Sequence, residues 1–387
     1  MGEWKEYKLG EIAEITSSKR IFYSEYVSEG IPFYRSKEII DLYNNRNIST
    51  ELFISESRYN EIQLKYGVPQ KDDILLTSVG SLGIPYLVKN TDRFYFKDGN
   101  LTWIRNINKN ITLPQYLILW ICSNIGKQKL DEVTIGSTQP ALTISGLKTV
   151  EITLPSIEEQ KRIVSTLSSL EDKIDLLHRE NKTLEAMAET LFRKWFIDNA
   201  REEVLLGDVV ETTSGGTPSR KNEKYYQNGS IDWVKSKELN RSFLLKTEEK
   251  ITVEAVENSS AKFLPANSVL IAMYGATVGE YAIIAKEMTC NQAVCALKPN
   301  DNYPYTYLYL WAKFMQDEFL NLACGAAQQN ISQVLIKQQQ VCSDVDVIKQ
   351  FHYIVEVFFE KIKQNEMQLY SLEEMKNMIL PKLMNNE

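Results

Sequence analysis

The sequence predicts an α+β protein with a pseudo-two-fold internal repeat, in which two mixed α/β domains are separated by a long antiparallel two-helix coiled coil. Three observations lead to this fold class. Six sequence blocks occur twice in the same order, each repeat ends in a segment with a heptad pattern, and each repeat contains short strand-like runs with one clear helix. Because a repeated domain–helix plan can fold back on itself, both halves are expected to share one fold.

The repeat is visible as short blocks that lie about two hundred residues apart. The matching pairs are Leu9–Ile12 with Leu206–Val209, residues 35–39 with 235–239, 73–76 with 268–271, the glycine pair 80/83 with the pair 275/279, 116–120 with 307–311, and 136–139 with 325–328. From these blocks we predict a first domain at residues 1–155, a first helix at 156–200, a second domain at 201–345 and a second helix at 346–387.

Within the first domain, short apolar runs bounded by turn residues predict strands at residues 30–34, 73–77 and 85–88. A longer apolar run predicts one helix at residues 114–130, because Pro114 suits a helix start. The second domain repeats this plan, and its residues 291–294 are expected to be strand-like. Strand-rich domains with a single clear helix are typical of the α+β class.

The first helical segment has apolar residues at alternating steps of four and three from Ile163 to Trp195, which is the pattern of a coiled-coil seam. Ser156 is a plausible cap at the start of this helix. Asn181 and Asn365 each take one seam position, where a buried amide fixes the register at some cost in stability. The predicted spacer residues are Leu167, Leu170, Ile174, Leu177, Asn181, Leu184 and Leu191 in the first helix, and Phe358, Ile362, Asn365, Leu369, Leu372 and Ile379 in the second.

Antiparallel pairing of these two helices would place the two domains at opposite ends of a rod. At ~1.5 Å per residue, helices of about 35 residues give a rod of roughly 50 Å. The alternative is that each helix packs only on its own domain. The coiled coil is favoured because both seams are long and each seam closes a repeat.

The composition is that of an ordinary globular protein, with 387 residues of which 43% are apolar and 25% are charged. No apolar run approaches the ~20 residues that span a bilayer, so no membrane association is predicted. The N-terminus lacks the basic start and apolar core of a signal peptide. We therefore expect a cytoplasmic protein.

No recognised enzyme motif is present in the sequence. The P-loop, GxGxxG, HExxH and Asn-Pro-Pro-Phe patterns are all missing. Five cysteines form no CxxC pair and only two histidines occur, so we expect free, buried thiols and no metal site. These observations predict a chain without catalytic residues and without a cofactor of its own, the alternative being an unrecognised active site.

Polar, basic loops recur at matching places in both repeats and are the candidate binding sites. Arg, Lys and Ser donors suit phosphate oxygens and guanine edges, whereas the alternative for each loop is an ordinary solvated turn. The candidate contact residues are Lys19, Arg20, Arg35, Ser36, Lys37 and Ser81 in the first domain, and Thr217, Ser219, Arg220, Lys221, Lys235, Ser236, Lys237 and Thr277 in the second.

Two further features give weaker candidates. The glycine pairs predict tight turns between core strands, with Ser81 and Thr277 near the loop tips. Gln139 and Gln328 could read adenine through their amides, with loop capping as the equal alternative.

The net charge of −7 is spread so that the four predicted segments carry 0, −2, −3 and −2. Any affinity for nucleic acid must therefore come from local clusters or from a partner.

Taken together and in order, these motifs resemble the specificity (S) subunits of Type I restriction–modification systems over essentially the whole chain. In the first repeat, Asn100-Leu101 stands where Asn291-Gln292 would be expected. The motifs that carry the resemblance are Trp4 with Leu9-Gly10, Leu154-Pro155 with Glu158-Glu159-Gln160, Leu191-Phe192-Arg193-Lys194-Trp195-Phe196, Gly216-Thr217-Pro218 with Ile231-Asp232-Trp233, and Asn291-Gln292.

This resemblance implies two target-recognition domains, each of which reads one half of a bipartite, gapped target in double-stranded DNA, with the helices as the spacer. It also implies assembly with two methyltransferase (M) subunits, and with restriction/translocase (R) subunits in the full complex. S-adenosylmethionine would then be bound by the methyltransferase partner rather than by this chain. The other hypothesis is a pseudo-symmetric protein-interaction adaptor without DNA readout.

Overall fold

The computed structural model describes residues 4–44, 48, 50–136, 138–199, 201–324 and 330–385. Its contacts divide the chain into two compact units. The first unit comprises Met1–Asp172 and Glu374–Glu387, and the second comprises Lys173–Glu373. Both boundaries fall inside long helices, so each unit contains a strand-rich domain and a part of each helix. The domain bounds predicted from the sequence stay a prediction.

The first unit contains short strands arranged in two four-stranded sheets and two small ladders. Its strands are β1 (Lys5–Lys8), β2 (Glu14–Thr16), β3 (Tyr26–Val27), β4 (Ile31–Tyr34), β5 (Phe53–Ile54), β6 (Ile74–Thr77), β7 (Pro85–Leu87), β8 (Tyr95–Phe96), β9 (Leu101–Arg105), β10 (Thr134–Ile135), β11 (Ala141–Leu142) and β12 (Glu151–Leu154). The sheet orders are β2-β9-β6-β7 and β3-β5-β4-β8, while β1 pairs with β12 and β10 with β11. Its short helices are α1 (Leu9–Ile12), α2 (Ser36–Tyr43), α3 (Glu56–Lys65), α4 (Pro114–Cys122), α5 (Asn124–Glu132) and α6 (Ile144–Thr149).

Two long helices, α7 (Ile157–Phe192) and α13 (Val345–Asn385), follow the two strand-rich domains. The main-chain N–H of Glu159 donates to the Ser156 hydroxyl over 3.3 Å, which confirms the predicted start of α7. The last α-helical turn of α7 leads into a π-helical turn, Arg193–Ile197. No helix of the described ranges is long and apolar enough to cross a membrane.

The second unit repeats the plan of the first. Its strands are β13 (Glu203–Leu205), β14 (Glu211–Ser214), β15 (Ile231–Val234), β16 (Phe243–Leu244), β17 (Lys250–Ile251), β18 (Val269–Ala272), β19 (Tyr281–Ile284), β20 (Thr289–Cys290), β21 (Val294–Lys298) and β22 (Gln340–Cys342). They form the sheets β14-β21-β18-β19-β16 and β17-β15-β20 and the ladder β13-β22. The short helices are α8 (Leu206–Val209), α9 (Val253–Glu257), α10 (Tyr305–Phe314), α11 (Gln316–Cys324) and α12 (Gln333–Lys337).

The repeat extends to individual hydrogen bonds. The N–H of Leu9 donates to Val150 O over 2.8 Å, and the N–H of Leu206 donates to Gln339 O over the same distance. Strand pairs β4/β8 and β15/β20 are both parallel, whereas most other pairs are antiparallel. The predicted α+β class with an internal repeat is therefore confirmed, as are the strands predicted at residues 30–34, 73–77 and 85–88.

The single helix predicted at residues 114–130 is wrong in one respect, because the chain breaks at Ser123. The Ser123 hydroxyl accepts from the N–H of Gly126 over 3.1 Å and so starts a new helix, α5. The chain turns so tightly there that a Cβ on Gly126 would lie 2.0 Å from Trp120 O. An apolar run shows that a segment is buried, but the cap decides where the helix restarts.

Residues 291–294 were expected to be strand-like, and this expectation is also corrected. They lead from β20 into β21 through a turn. The Asn291 side-chain oxygen accepts from the N–H of Ala293 over 3.1 Å, while the Asn291 carbonyl accepts from Val294. An asparagine that bonds the main chain two residues ahead favours a turn over a strand.

Most predicted seam positions of α7 and α13 are buried or partly buried. Leu167, Leu177, Ile362 and Leu369 are buried, and Leu170, Ile174, Leu184, Leu191, Leu372 and Ile379 are partly buried. Phe358 is likewise partly buried, and its neighbour Phe359, which lies outside the predicted seam, is fully buried. The reason is that α13 also packs on the domain core of the second unit, which widens the buried face beyond a two-residue seam.

The helix pair of the second unit contains a buried polar contact at the two predicted asparagines. The Asn365 amide donates to Asn181 Oδ1 over 2.8 Å, and the Asn181 amide donates to Glu366 Oε1 over 2.9 Å. Arg241, from the strand-rich domain, binds Glu366 and also Glu373 over 2.9 Å. Burial raises the pKa of Glu366 above its usual range, against the opposing effect of Arg241. This network joins the domain to the paired helices within one unit.

A buried glutamate closes the matching Arg/Lys-Ser-Lys-Glu turns in both units. Glu38 Oε2 accepts from the main-chain N–H of Arg35 over 2.7 Å, and Glu238 Oε2 accepts from that of Lys235 over 2.8 Å. Burial raises the pKa of Glu38, but hydrogen bonds from the Arg35 side chain and main chain outweigh it, so the pKa lies below its usual range. The carboxylate thus holds each turn by a charge-assisted bond.

The asparagine contact predicts coupled effects on stability. We expect Asn181→Leu and Asn365→Leu each to lower the free energy of unfolding of the second unit by about 1–3 kcal/mol, because each removes the hydrogen bond between the two amides from a buried polar network. The double variant should lose at least about 0.5 kcal/mol less than the sum. Denaturant unfolding of the full chain measures this, with the exposed Ser371→Ala as the control. Strictly additive losses would contradict the pairing.

The low pKa of Glu38 predicts a pH dependence. A carboxyl whose pKa is lower in the folded than in the unfolded state stabilises the fold above the unfolded pKa, and this contribution is lost as the pH falls through the folded pKa. Glu38→Gln should therefore cost about 1–3 kcal/mol at pH 7 and progressively less below about pH 4.3. Thermal unfolding across this range tests it against the exposed Glu6→Gln. A loss that does not change with pH would rule out the ionised contact.

Candidate nucleic-acid interface

The loop that follows β14 in the second unit is held against the turn after β20. The N–H of Gly216 donates to Cys290 O over 2.9 Å, and Trp233 Nε1 donates to Gly216 O over 3.0 Å. The hydroxyl of Thr217 donates to the side-chain oxygen of Gln292. A Cβ on Gly216 would lie 2.3 Å from the carbonyl carbon of Ser260, so only glycine fits this close approach. These contacts hold the loop in one defined position.

Arg220 extends from this loop over two aromatic rings. Its guanidinium carbon lies 4.3 Å from the ring centre of Tyr226 and 5.1 Å from that of Trp233. The guanidinium also binds Glu249, with one N–O distance of 3.0 Å, and this hydrogen bond raises the pKa of Arg220. The candidates Ser219 and Lys221 lie exposed on either side. Stacking and ion pairing together fix the direction of the guanidinium group.

Lys235 and Lys237, from the turn after β15, approach the same acidic segment. Lys235 Nζ lies 3.4 Å from Glu248 and 3.3 Å from Glu249, and Lys237 Nζ lies 2.6 Å from Glu248. Hydrogen bonding to Lys237 holds the pKa of Glu248 below its usual range, and hydrogen bonding to Arg220 does the same for Glu249. The structure therefore brings three predicted basic residues together around two glutamates. Ser236 begins the turn between the two lysines.

A buried aspartate lies beneath this group. Asp232 binds Lys286 Nζ over 2.7 Å and lies 3.7 Å from Lys250 Nζ. Burial raises the pKa of Asp232, but the hydrogen bonds from Lys286 and the main chain of Thr247 outweigh it, so the pKa is lowered. We call the eight charged residues the second-unit cluster: Arg220, Lys235, Lys237, Lys250 and Lys286 with Asp232, Glu248 and Glu249. Glu238, whose carboxylate accepts from the main-chain N–H groups of Lys235 and Glu248, adds a fourth carboxylate beside the five cations, which leaves a surplus of one positive charge.

The first unit connects its two candidate loops through the turn after β8. Arg20 Nε donates to Asp98 over 2.7 Å, and the Ser36 hydroxyl donates to Asn100 O over 3.4 Å. The N–H of Lys19 donates to the hydroxyl of Tyr95 over 2.6 Å. The turn between β8 and β9 therefore has the role that the turn between β20 and β21 has in the second unit.

The remaining candidates of the first unit differ in their surroundings. Arg35 binds the buried Glu38 over 2.8 Å, while Lys37 is exposed. Ser81 is also exposed, beside Gly80 at the tip of a tight turn where Gly80 has a φ of +81°. In the second unit, Thr277 lies in the equivalent turn, and its hydroxyl donates to Tyr274 O over 3.1 Å. The glycine pairs thus form tight turns, as the sequence predicts.

The placement of Asn100-Leu101 opposite Asn291-Gln292 is wrong. The Asn100 carbonyl accepts from Ser78 N over 2.8 Å, and the carbonyl that takes the same place in the second unit is that of Ala293, which accepts from Met273 N over 2.8 Å. Asn100 therefore corresponds to Ala293 rather than to Asn291. The first repeat has one more residue between its strands here, which a comparison of short motifs does not reveal.

The residues that the sequence reading missed are acidic. Glu38 and Glu238 lie inside the repeated motif and were visible as matched residues three positions after Arg35 and Lys235. Glu248 and Glu249 belong to no repeated block, so no pattern pointed to them. Most of the predicted cations turn out to be ion-paired, and the interface carries much less free positive charge than its residue types suggest.

The two glutamine candidates and the cysteines are the remaining residues that the sequence analysis singled out. Gln139 is exposed, and its carbonyl oxygen would lie 2.8 Å from a Cβ on Gly136, so the main chain closes a tight loop there. Gln328 lies outside the described residues. Cys290 and Cys295 are buried free thiols, as predicted, and burial raises the pKa of each to about 12.

Comparison with known proteins reveals similarity along both repeats. The family described as the Type I restriction modification DNA specificity domain matches residues 1–186 and 200–342. The chain is 24% identical to the Type I restriction enzyme HindI specificity subunit of Haemophilus influenzae, over the whole of both chains. It is 26% identical to the MjaIX specificity subunit of Methanocaldococcus jannaschii, over this whole chain and 93% of that one.

A solved structure shows the same fold. The crystal structure of the Type I restriction–modification S subunit from M. genitalium aligns with a TM-score of 0.65 at 15% identity, over 99% of this chain and 96% of that chain. The two family matches cover most of the chain and coincide with the two repeats read from the sequence. The family is one of DNA-recognition domains and not of catalysts. The resemblance is confirmed, and this chain belongs to the family of Type I restriction–modification DNA specificity proteins.

Proposed function

We propose that this chain is a non-catalytic DNA-recognition subunit that reads a bipartite, gapped target, one half with each domain, and acts as the scaffold of a methylation and restriction complex. The observation that carries this proposal is the second-unit cluster. It presents ordered Arg and Lys donors with a surplus of positive charge. Such donors fit both phosphate oxygens and guanine edges.

A corresponding arrangement in the first unit supports two reading domains rather than one. In the first unit, the turn between β8 and β9 contacts the loop that follows β2. In the second unit, the turn between β20 and β21 contacts the loop that follows β14. In each unit, an Arg/Lys-Ser-Lys-Glu turn is closed by a buried glutamate. Two sites of the same construction in one chain suit a target with two halves.

The paired helices support the proposed spacer. In the second unit, Asn181 and Asn365 fix one register, and in the first unit Lys376 Nζ of α13 lies 2.6 Å from Glu171 of α7. A pair of helices held in one register can act as a spacer of constant length between two recognition domains. We take this separation to be the gap between the half-sites.

The partners follow from the family and from what the chain itself offers. Two methyltransferase subunits would bind S-adenosylmethionine and methylate adenine, and restriction/translocase subunits would join for cleavage. The complex would act in the cytoplasm. Because the candidate cations are largely ion-paired, we expect the isolated chain to bind DNA weakly and the basic surfaces of partners to complete the affinity.

A protein-interaction adaptor is the second candidate, and one observation favours it. Arg20, Arg35, Arg220, Lys235 and Lys237 all have carboxylate partners within the chain. A surface of balanced charges can bind a protein as readily as it binds DNA. The two functions are separated by the effect of the cations on DNA binding.

Methylation mapping tests the proposed function. Long-read sequencing would compare DNA from cells that express this chain together with its methyltransferase subunit and DNA from cells that express the methyltransferase alone. We expect a bipartite, gapped adenine-methylation motif that appears only with this chain. A stable complex of the two that methylates no such motif would contradict the proposal.

Neutralising the second-unit cations should affect one half of that motif. We expect Lys235→Ala with Lys237→Ala to weaken binding of the target duplex by the complex about tenfold or more and to reduce the slope of log K against log salt by about 2, because two phosphate contacts are removed. Binding assays at several salt concentrations measure this. The exposed Lys349→Ala on α13 is the matched control, and equal DNA binding by all variants would favour the adaptor.

A further inference from the structure

Two carboxylates occupy the part of the second-unit cluster where a phosphate group would be expected to bind. Glu248 and Glu249 lie in the segment between β16 and β17, and between them they contact Arg220, Lys235 and Lys237. These are three of the residues that the sequence predicts as DNA contacts. Any phosphate that approaches these cations competes with a carboxylate that is already bound.

The main chain of this acidic segment is anchored at successive residues. The N–H and hydroxyl of Thr247 both donate to Asp232 Oδ1 over 3.1 Å. The N–H of Glu248 donates to Glu238 Oε1 over 2.7 Å, and Glu249 O accepts from Trp233 N over 3.3 Å. Because three consecutive residues are tied to the same strand and turn, the two carboxylates are held opposite the cations.

Stability does not explain the most exposed of these ion pairs. The side chains of Lys237 and Glu248 are 61% and 59% exposed, and pairs this exposed contribute only about 0–1 kcal/mol to folding. Arg220 is 54% exposed in its pair with Glu249 and is already packed over two aromatic rings. These pairs lie on the surface that we assign to DNA.

We propose that Glu248 and Glu249 are specificity-determining residues of the second domain. They offset the charge of Arg220, Lys235 and Lys237, which weakens attraction to phosphates of any sequence, and they hold these donors in fixed directions, which favours base edges that match. This inference rests on the proposed function and deepens it. Phosphate attraction supplies most non-specific binding, so its reduction raises the ratio of target to non-target affinity.

The test uses the full chain in complex with its methyltransferase subunits. The variant Glu248→Gln with Glu249→Gln removes two charges and keeps the side-chain shape. The matched control, Glu254→Gln with Glu257→Gln, removes two charges from exposed residues of α9 in the same domain. No contact of either control residue's side chain with the cluster is seen among the described residues. Thermal unfolding confirms that each variant is folded.

Two readouts are compared with the wild type. Dissociation constants are measured for a target duplex and for a non-target duplex of equal length at several salt concentrations. We expect the Glu248/Glu249 variant to bind the non-target duplex about 3- to 10-fold more tightly, with a steeper salt dependence. Its affinity for the target duplex should increase by a smaller factor. Methylation mapping should then show a less specific sequence at the half-site that Lys235→Ala with Lys237→Ala affects, and an unchanged sequence at the other half-site.

Other outcomes overturn the inference. An unchanged ratio of target to non-target affinity, or a change no larger than that of the Glu254/Glu257 control, would show that the glutamates act only through overall charge. Lower affinity for both duplexes would show that they merely support the fold of the loop. A wild-type complex that yields no bipartite motif would refute the proposed function itself, so the two failures are distinguishable.

Discussion

Two paired helices can in principle slide past each other by whole turns, and one polar contact opposes this in the second unit. The Asn365 amide reaches Asn181 Oδ1 only in the observed register, and a slip would break this buried hydrogen bond at a cost of about 1–3 kcal/mol. Arg241 binds Glu366 and Glu373 on the same helix, so the attachment of the domain depends on that register too. Both the helix pairing and the placement of the second-unit domain follow from this contact.

The repeat could be predicted from the sequence because its blocks have local roles. Leu9 and Leu206 each tie a short helix to a distant carbonyl, and a Cβ on Gly10 or Gly207 would lie about 3 Å from Lys148 or Lys337. Residues with such strict local geometry recur as recognisable motifs.

Packing between distant segments could be predicted less well from the sequence. Phe359, which lies outside the predicted seam, is fully buried because α13 faces a domain core as well as its partner helix, whereas a heptad pattern predicts only the contact with the partner helix. The break at Ser123 depends on a single side-chain cap inside a uniformly apolar run. The candidate donors could be named from their residue types, but their acidic partners Glu248 and Glu249 come from a segment without any repeat. Charge balance at a site is a property of the fold, which composition does not reveal.

The first unit is assembled from two parts of the chain that lie far apart in sequence. Ile379, Leu380 and Leu383 pack on the core formed by residues of the first 170, after an interval of some two hundred residues. During synthesis, this core must therefore wait for the end of α13 before its last apolar surface is covered. The first domain to be made is the last to be completed, and the nascent chain exposes this surface while the whole second repeat is being translated.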